Sequence, residues 1–418
     1  MTEPPLRVAF LLPSFPELSN TFILEQITGL IDRGHHLDIF AIERKDFGIL
    51  PLDLAPYRLA ERMRHHVIPR ARLARLRLLL NVLGTPSIYH PALLDAFDRR
   101  HHGRSALNLV QFHTAASFLR AGPYDILHCQ FGDLGPTAAR LVGLGAVRAR
   151  LVTSFRGADL TIHLAAQPRR FTELFARGAL FLPVSEHFRD RLVAAGARPE
   201  CVEVHRSGID LRRFTFALRH RPAGRPRLLF VGRLTEKKGL EYALEALARL
   251  RTAGTEADFT VIGEGALLPH LKTRCTSLGL DDRVSFLGAR SRDDVASAMA
   301  AAHVLVAPSV TAGSGDQEGI PNVVKEAMAT GMPVVSTHHS GIPELVEHGV
   351  TGFLARERDP ADLARQIAIV LEHPERWGEI GTAARHRIEV EYDRELLNDA
   401  LVERYRRVLR ESSGCSEP

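Results

Sequence analysis

Two carboxylates eight positions apart, Glu318 and Glu326, frame a turn that reads Ser309-Val-Thr-Ala-Gly-Ser-Gly-Asp-Gln-Glu-Gly-Ile-Pro-Asn322 and continues as Val-Val-Lys-Glu-Ala-Met-Ala-Thr-Gly-Met-Pro333. Apolar runs at Val304–Ala307 and Pro333–Ser336 flank it, short enough to be buried parallel strands. Between them the pattern predicts a polar, glycine-rich loop and a short helix, with Pro321 at its first turn and Gly331 just past its end. A strand, loop and helix in that order aim backbone N–H groups and the positive helix end at an anion or an oxygen-rich ligand. Glu318 falls in the loop and Glu326 about a turn into the helix. Taken alone, the spacing also fits an ordinary α/β loop whose carboxylates cap helices.

A second set of charges lies in Phe230-Val-Gly-Arg-Leu-Thr-Glu-Lys-Lys-Gly-Leu-Glu241. Phe230 and Val231 close an apolar run, and Leu240, Ala243, Leu244, Leu247 and Leu250 then mark one face of a helix. Arg233 and Lys238 therefore fall on the strand-to-helix turn. An arginine fork grips phosphate oxygens in two places, whereas lysine supplies a compact point charge. With the helix end they can neutralise a diphosphate without a divalent ion, and no convincing Asp-x-Asp pair at a strand end offers magnesium a site. Surface ion pairs with Glu236 and Glu241 are the plainer reading of the same two cations. Lys237 reads as solvent-facing.

Turns of this kind need parallel sheets to hold them. Leu6–Leu12 should be the first strand, followed by a helix with Ile23, Leu24, Ile27, Leu30 and Ile31 on one face, a stop at Gly34 and a second strand at His36–Ile42. This βαβ unit lacks Gly-x-Gly-x-x-Gly, which argues against an NAD-type fingerprint. Ser19 or Thr21 would cap the helix, with or without also facing a ligand. Further strands are expected at Asp125–His128, Arg150–Phe155, Ala179–Val184 and Val202–His205, completing a doubly wound domain over residues 1–210. Residues 211–226 form a polar linker. A second series then follows at Arg227–Val231, Phe259–Ile262, Val284–Leu287, Val304–Ala307, Val334–Thr337 and Gly352–Leu354. It makes another such domain over 227–390, and a helical segment, 391–418, ends the chain. Two successive open α/β domains put the expected ligand site in the crevice between them, near the strand carboxyl ends.

Composition narrows the function classes. The 418 residues are 45% hydrophobic and 25% charged, as in soluble globular proteins. No signal-peptide pattern opens the chain, and no apolar run approaches the ~20 residues of a membrane span. Cys129, Cys201, Cys275 and Cys415 make no Cys-x-x-Cys pair and read as reduced packing residues of a cytoplasmic protein, with no metal site. A net charge of +5 permits an anionic partner without naming one. Residues 53–121 are strongly basic, including Arg70, Arg72, Arg75, Arg77, Arg99 and Arg100, and Leu73, Leu76, Leu80 and Leu83 recur beside the first four. Such a stretch fits either a helix lying on an anionic membrane or a solvated face over a core stripe. No aromatic residue interleaves Arg70–Arg77, which argues against a nucleic-acid platform.

The Glu318–Glu326 string, with Gly319-Ile320-Pro321-Asn322 inside it and Glu326-Ala-Met-Ala and Gly331-Met-Pro-Val-Val after it, resembles the signature of glycosyltransferase family 4, retaining enzymes that use nucleotide sugars. Asn20-Thr-Phe-Ile, Val261-Ile-Gly-Glu-Gly, Phe286-Leu-Gly and Ser340-Gly-Ile-Pro-Glu-Leu-Val match in order, so the resemblance covers most of the chain. Leu12-Pro-Ser-Phe-Pro-Glu-Leu-Ser and Ser336-Thr-His-His-Ser-Gly-Ile-Pro-Glu look most like the branch that makes colanic acid and other exopolysaccharides. That resemblance implies the GT-B fold, two Rossmann-like doubly wound domains facing across a cleft. It puts a saccharide or lipid-linked acceptor on the N-terminal domain and the donor, a nucleotide diphosphate sugar, on the C-terminal one. The final helix would return to the first domain.

By position, the resemblance gives Glu318 the donor sugar near the reacting centre and Glu326 the ribose hydroxyls. Gly319, Ile320 and Pro321 would present backbone to the sugar, Arg233 and Lys238 would hold the diphosphate, and the base would lie near Gly288. No metal is expected. The implied location is the cytoplasm, or the cytoplasmic face of the inner membrane as a peripheral protein. One departure stands out: many members have Phe-His-Gly where this chain has Phe155-Arg156-Gly157. Arg156 can donate hydrogen bonds and stabilise negative charge but cannot shuttle a proton at neutral pH. It is either a variant electrostatic group at the catalytic position or a sign of weakened catalysis. The second option leaves open a non-catalytic nucleotide-sugar-binding subunit; a GT-B sugar-nucleotide epimerase is a further alternative.

Overall fold

A computed structural model describes residues 3–17, 21–50, 52–64, 73, 77, 80, 90–102, 106 and 109–411. Its contacts divide into two units. The first takes in residues 1–183, 189–205 and everything from 398 onward, and the second takes in 184–188 and 206–397.

The first unit carries β1 (Arg7–Phe15), β2 (His36–Arg44), β3 (Ile126–Cys129), β4 (Arg150–Phe155) and β5 (Leu180–Pro183). They pair in parallel in the order β2-β1-β3-β4-β5. The strands read as unbroken apolar runs because a parallel sheet is covered on both faces, and every residue of β3 and β5 is buried. Leu401, Tyr405 and Val408, from the helix Arg394–Arg410, join the same core as Phe10, Ile27 and Leu30. The expected strand at Val202–His205 does not form. Glu203 and His205 donate to the carbonyls of Phe181 and Pro183, yet only one bridge, Phe181 to Val202, is completed. Pro183 has no N–H to return the next rung, which stops the ladder.

The second unit carries β6 (Arg227–Val231), β7 (Asp258–Ile262), β8 (Val284–Phe286), β9 (Val304–Val306), β10 (Val334–Thr337) and β11 (Phe353–Ala355), parallel in the order β11-β10-β9-β6-β7-β8. Side chains alternate across β6: Leu228 and Phe230 enter a core with Leu244, Phe259 and Trp377, while Leu229 enters the opposite one with Leu305, Met328 and Ile388. Neighbours β6 and β9 are far apart in sequence, so their following segments leave in opposite directions. That is the topological switch point, where open α/β sheets leave a crevice beyond the strand ends. The turn with Arg233 and Lys238 follows β6, and the loop with Glu318 follows β9.

Some expectations fall outside the described residues: Ser19, Cys415, and Arg70, Arg72, Arg75, Leu76 and Leu83 of the basic stretch. Leu73 and Leu80 are 78% and 59% exposed and so cover no core. No described helix is long and apolar enough to cross a membrane. Cys129, Cys201 and Cys275 are buried free thiols.

The helix Asn322–Ala329 that follows the Glu318 loop is held by the helix Trp377–Glu391. Gly381 lies so close that a Cβ there would sit 2.5 Å from the carbonyl oxygen of Gly331. Backbone cannot yield as a flexible side chain can. Gly381→Ala should therefore force the two helices apart at a cost of about 1–3 kcal/mol, read as a lower midpoint in denaturant unfolding with little change in secondary structure.

Candidate functional site

The turn after β6 begins at Gly232 and Arg233, tightens into one 3-10 turn at Glu236–Lys238, and enters the helix Leu240–Thr252 through Gly239. Gly239 sits at φ +64, and a Cβ there would lie 1.9 Å from the carbonyl oxygen of Pro308. Only glycine permits both that backbone conformation and that approach. The approach brings the turn against the segment after β9, where Val310 donates to the carbonyl of Lys237 at 2.9 Å.

Four charged side chains meet there. Lys238 Nζ is 3.2 Å from Glu318 Oε2, and Lys237 Nζ is 3.4 Å from Glu318 Oε1 and 3.0 Å from Asp316 Oδ2. Lys237 is thus not solvent-facing: its side chain is only 11% exposed. Asp316, two residues before Glu318, supplies the counter-charge that draws it in. The surface pairings with Glu236 and Glu241 are not how the turn is used, since Glu236 accepts from Gly313 N–H at 2.7 Å and faces Arg358 at 3.8 Å. Burial alone would raise the Glu318 carboxyl, but the ammonium groups of Lys238 and Lys237 outweigh it and pull it down to about 2. Glu318 Oε1 accepts no hydrogen bond.

Two residues that the sequence did not single out fix the Glu318 backbone. His339, just past β10, is fully buried; its Nε2 accepts from Glu318 N–H at 3.1 Å and its Nδ1 lies 2.7 Å from Glu357 Oε1. The proton is therefore on Nδ1 and the ring is neutral. Burial also lowers the affinity of this ring for a second proton, against the opposing pull of Glu357. Glu357, just past β11, uses its other oxygen to accept from Thr311 N–H at 2.9 Å. Segments after β6, β10 and β11 thus clamp the loop after β9 at Gly313, Glu318 and Thr311. Ser340, at φ +48, is a non-glycine residue held in left-handed backbone beside His339, the kind of strain that gathers at functional loops.

The other expected residues distribute as follows. Pro321 is the N-cap of the helix Asn322–Ala329, one position earlier than its sequence reading, and no side chain caps that end. Gly319 is buried and Ile320 packs on the core. Glu326 is half-buried in the helix; burial lifts its carboxyl above the usual range, while Arg292, Lys325 and Lys238 pull the other way. Lys238 therefore acts on both carboxylates. Arg233 is exposed on the same turn as Lys238. Gly288 follows β8, and its carbonyl accepts from Gly263 N–H at 2.9 Å. A Cβ at Gly263 would lie 1.9 Å from the Gly232 carbonyl oxygen, so the segments after β6, β7 and β8 join in a shelf of bare backbone.

Arg156 lies in the first unit, just past β4. Its guanidinium donates to Gln130 Oε1 at 2.8 Å, to the Gln130 carbonyl at 3.1 Å and to Gln26 Oε1 at 3.3 Å, and its Cζ is 4.5 Å from the centre of the Phe22 ring. Burial pushes its proton affinity down to about 10. The preceding turn is tied by Asp159, whose carboxylate accepts from Gly132, Arg156 and Gly157 N–H. His128 is a buried structural group, bonded to Tyr405 and Ser154, while His163 and His338 are exposed.

Residues 225–373 match the family model described as Glycosyl transferases group 1. The chain is 35% identical over 401 residues to the colanic acid biosynthesis glycosyltransferase WcaL of Salmonella typhimurium, spanning 95% of this chain and 98% of that protein. It is 34% identical over 410 residues to the amylovoran biosynthesis glycosyltransferase AmsK of Erwinia amylovora, with 95% and 98% covered. Its structure is similar to that of Anabaena HepE, solved with UDP and glucose, at a TM-score of 0.70 and 21% identity, over 96% of this chain and 100% of that one. The fold is GT-B.

Glu318 is ionised down to about 2 in the fold but only to about 4.5 in the unfolded chain. Its stabilising contribution is complete above the higher value and fades as pH falls toward the lower, up to roughly 3 kcal/mol. The gap in melting temperature between the native chain and Glu318→Gln should shrink over that window and stay constant above it. His339→Phe should release the Glu318 backbone without removing a ligand-binding charge. The expected result is a fall of about tenfold or more in kcat at nearly unchanged donor KM, with partial recovery in His339→Asn.

Proposed function

The chain belongs to the group 1 glycosyl transferases, and from that premise we propose that it transfers a hexosyl group, with retention, from a nucleotide diphosphate sugar to a lipid-linked saccharide in exopolysaccharide assembly. The observation that carries this reading is the placement of Lys238 at the switch point of the second sheet, paired with Glu318 and acting on Glu326. Breaking the anomeric bond builds negative charge on the diphosphate and positive charge on the sugar. Lys238 and Arg233 supply the first counter-charge, reinforced by two helix N-termini, at Leu240 and Asn322, that no side chain caps. Those cations do the work a divalent ion would otherwise do.

Glu318 supplies the second counter-charge. Ionised at any working pH, it orients and stabilises and does not act as an acid, and its Oε1, 3.4 Å from Lys237 Nζ, keeps lone-pair capacity for a sugar hydroxyl. In the resting chain the carboxylate holds the Lys238 ammonium where the phosphate arrives, so donor binding exchanges one anion for another at little reorganisation. Glu326 takes the ribose hydroxyls, Gly319 to Pro321 face the sugar, and the base lies on the shelf that ends at Gly288. In the same-face displacement this reading adopts, the acceptor O–H bond breaks, its oxygen forms the new glycosidic bond, and the proton goes to the departing phosphate oxygen. Arg156, protonated at neutral pH, serves as a fixed positive charge and not as a proton carrier. Exposed Leu73 and Leu80 on either side of Arg77 fit peripheral attachment to the cytoplasmic face of the inner membrane.

Release of nucleoside diphosphate, measured with crude lipid acceptor, tests the assignment. Lys238→Ala and Glu318→Ala should each lower kcat by about 100-fold or more, and native rates in both would refute it. A thermal-shift panel of nucleotide sugars identifies the donor, since the true one raises the native chain's melting temperature most.

A further inference from the structure

The first unit holds a cavity lined by neither the donor-site residues nor Arg156. It encloses about 1140 Å³ and is walled by segments following β3 and β4, the helix Gly135–Gly143 and residues 166–176, with Arg100 and Gln111 closing one side. Carboxyl ends of parallel strands are where such sheets take ligands, and this volume exceeds what one monosaccharide fills.

Its charge is one-sided. Arg100, Arg140, Arg169 and Arg170 line it against a single carboxylate, Glu173. That carboxylate is neutralised by Arg140 at 3.4 Å and Arg177 at 3.2 Å, and Arg140 is itself anchored on Asp95. Arg170 donates to the Asp133 carbonyl at 3.3 Å, and part of its charge is met by the Asp133 carboxyl group. Among the described residues, Arg100 and Arg169 have no ion-pair partner, and both are exposed. Gln111, Thr137 and Gln167 add neutral hydrogen-bonding groups, and Pro136, Pro168 and Ala176 add small apolar surfaces. Arginine forks match the geometry of phosphate and carboxylate, while amides and hydroxyls match sugar hydroxyls.

We infer that this cavity binds a saccharide bearing a phosphate or carboxylate group, which Arg100 and Arg169 grip while Gln111, Thr137 and Gln167 hold its hydroxyls. Resting on the transferase reading, the inference makes the ligand the acceptor and gives it a negative charge.

Calorimetric titration of glucose 1-phosphate, glucuronic acid and glucose tests it, with a chain carrying Arg233→Ala and Lys238→Ala as reference so that the cations of the donor turn do not contribute. One anionic probe should bind more tightly than glucose, weaken with added salt, and lose at least tenfold in affinity when Arg100→Ser and Arg169→Ser are added. Which anionic probe wins distinguishes phosphate from carboxylate. Equal affinity for glucose and both anions, no binding of either anion, or no loss in the arginine variants would overturn the inference. Unchanged unfolding of the variant confirms that the exposed substitutions leave the fold intact, and the salt dependence in the reference chain needs no substitution at Arg100 or Arg169. Nucleotide-sugar thermal shifts on the chain carrying only Arg100→Ser and Arg169→Ser keep the two readings apart. Their persistence leaves the transferase assignment standing whatever becomes of this cavity.

Discussion

A carboxylate facing two ammonium groups in a largely buried place is the constraint on which the second unit turns. Burying Glu318 alone would cost several kcal/mol, and burying Lys237 and Lys238 without it would cost as much again. Each charge is tolerable because the others are held within ion-pair distance, and that holding is done by backbone. Glycine at 239 lets the turn after β6 come against Pro308, and Glu357, Glu236 and His339 grip three N–H groups of the loop after β9. The acidic and basic residues around the loop are therefore of two kinds. In the proposed reading Lys238, Glu318 and Glu326 meet the ligand, whereas Glu236, His339 and Glu357 place the loop.

The same division of labour supports the proposed role of the pair as a receptor. An ammonium already drawn to a carboxylate has lost most of its rotamer freedom before any phosphate arrives. A carboxylate kept ionised by two cations presents constant charge over the whole physiological range, which suits orientation and excludes proton transfer. Lysine is a compact, strongly hydrated point charge, and arginine on the same turn stays exposed. The inner position thus goes to the cation that accepts a change of partner most readily.

The sequence was most legible where structure is local or repeated. Parallel strands announce themselves as short apolar runs, and β4, β6 and β10 fall on their expected residues. Gly331 ends the site helix, as its position suggested, at φ +78. Val202–His205 misled because its own composition suits a strand; the obstacle is the missing N–H of Pro183, on the neighbouring chain segment. Lys237 misled for a related reason. Its burial depends on Asp316, 79 positions away, brought close only because β6 and β9 are adjacent in the sheet. His339 lies in the Ser336–Glu344 tract and Glu357 in no motif, yet neither role could be read there, since what each binds is a main-chain N–H or the other, and side-chain patterns do not record main-chain partners. The motifs did mark the loops; the supports behind them came from strand order.

The first unit is discontinuous in sequence. Its sheet is encoded before residue 184, yet Leu401, Tyr405 and Val408 complete its core. During synthesis the N-terminal sheet must wait, with one apolar flank uncovered, while the whole of the second unit emerges and closes. The usual order of a nascent chain, in which the leading domain is finished first, is inverted here, so exposure of that flank to chaperones and proteases lasts until the helix Arg394–Arg410 has emerged.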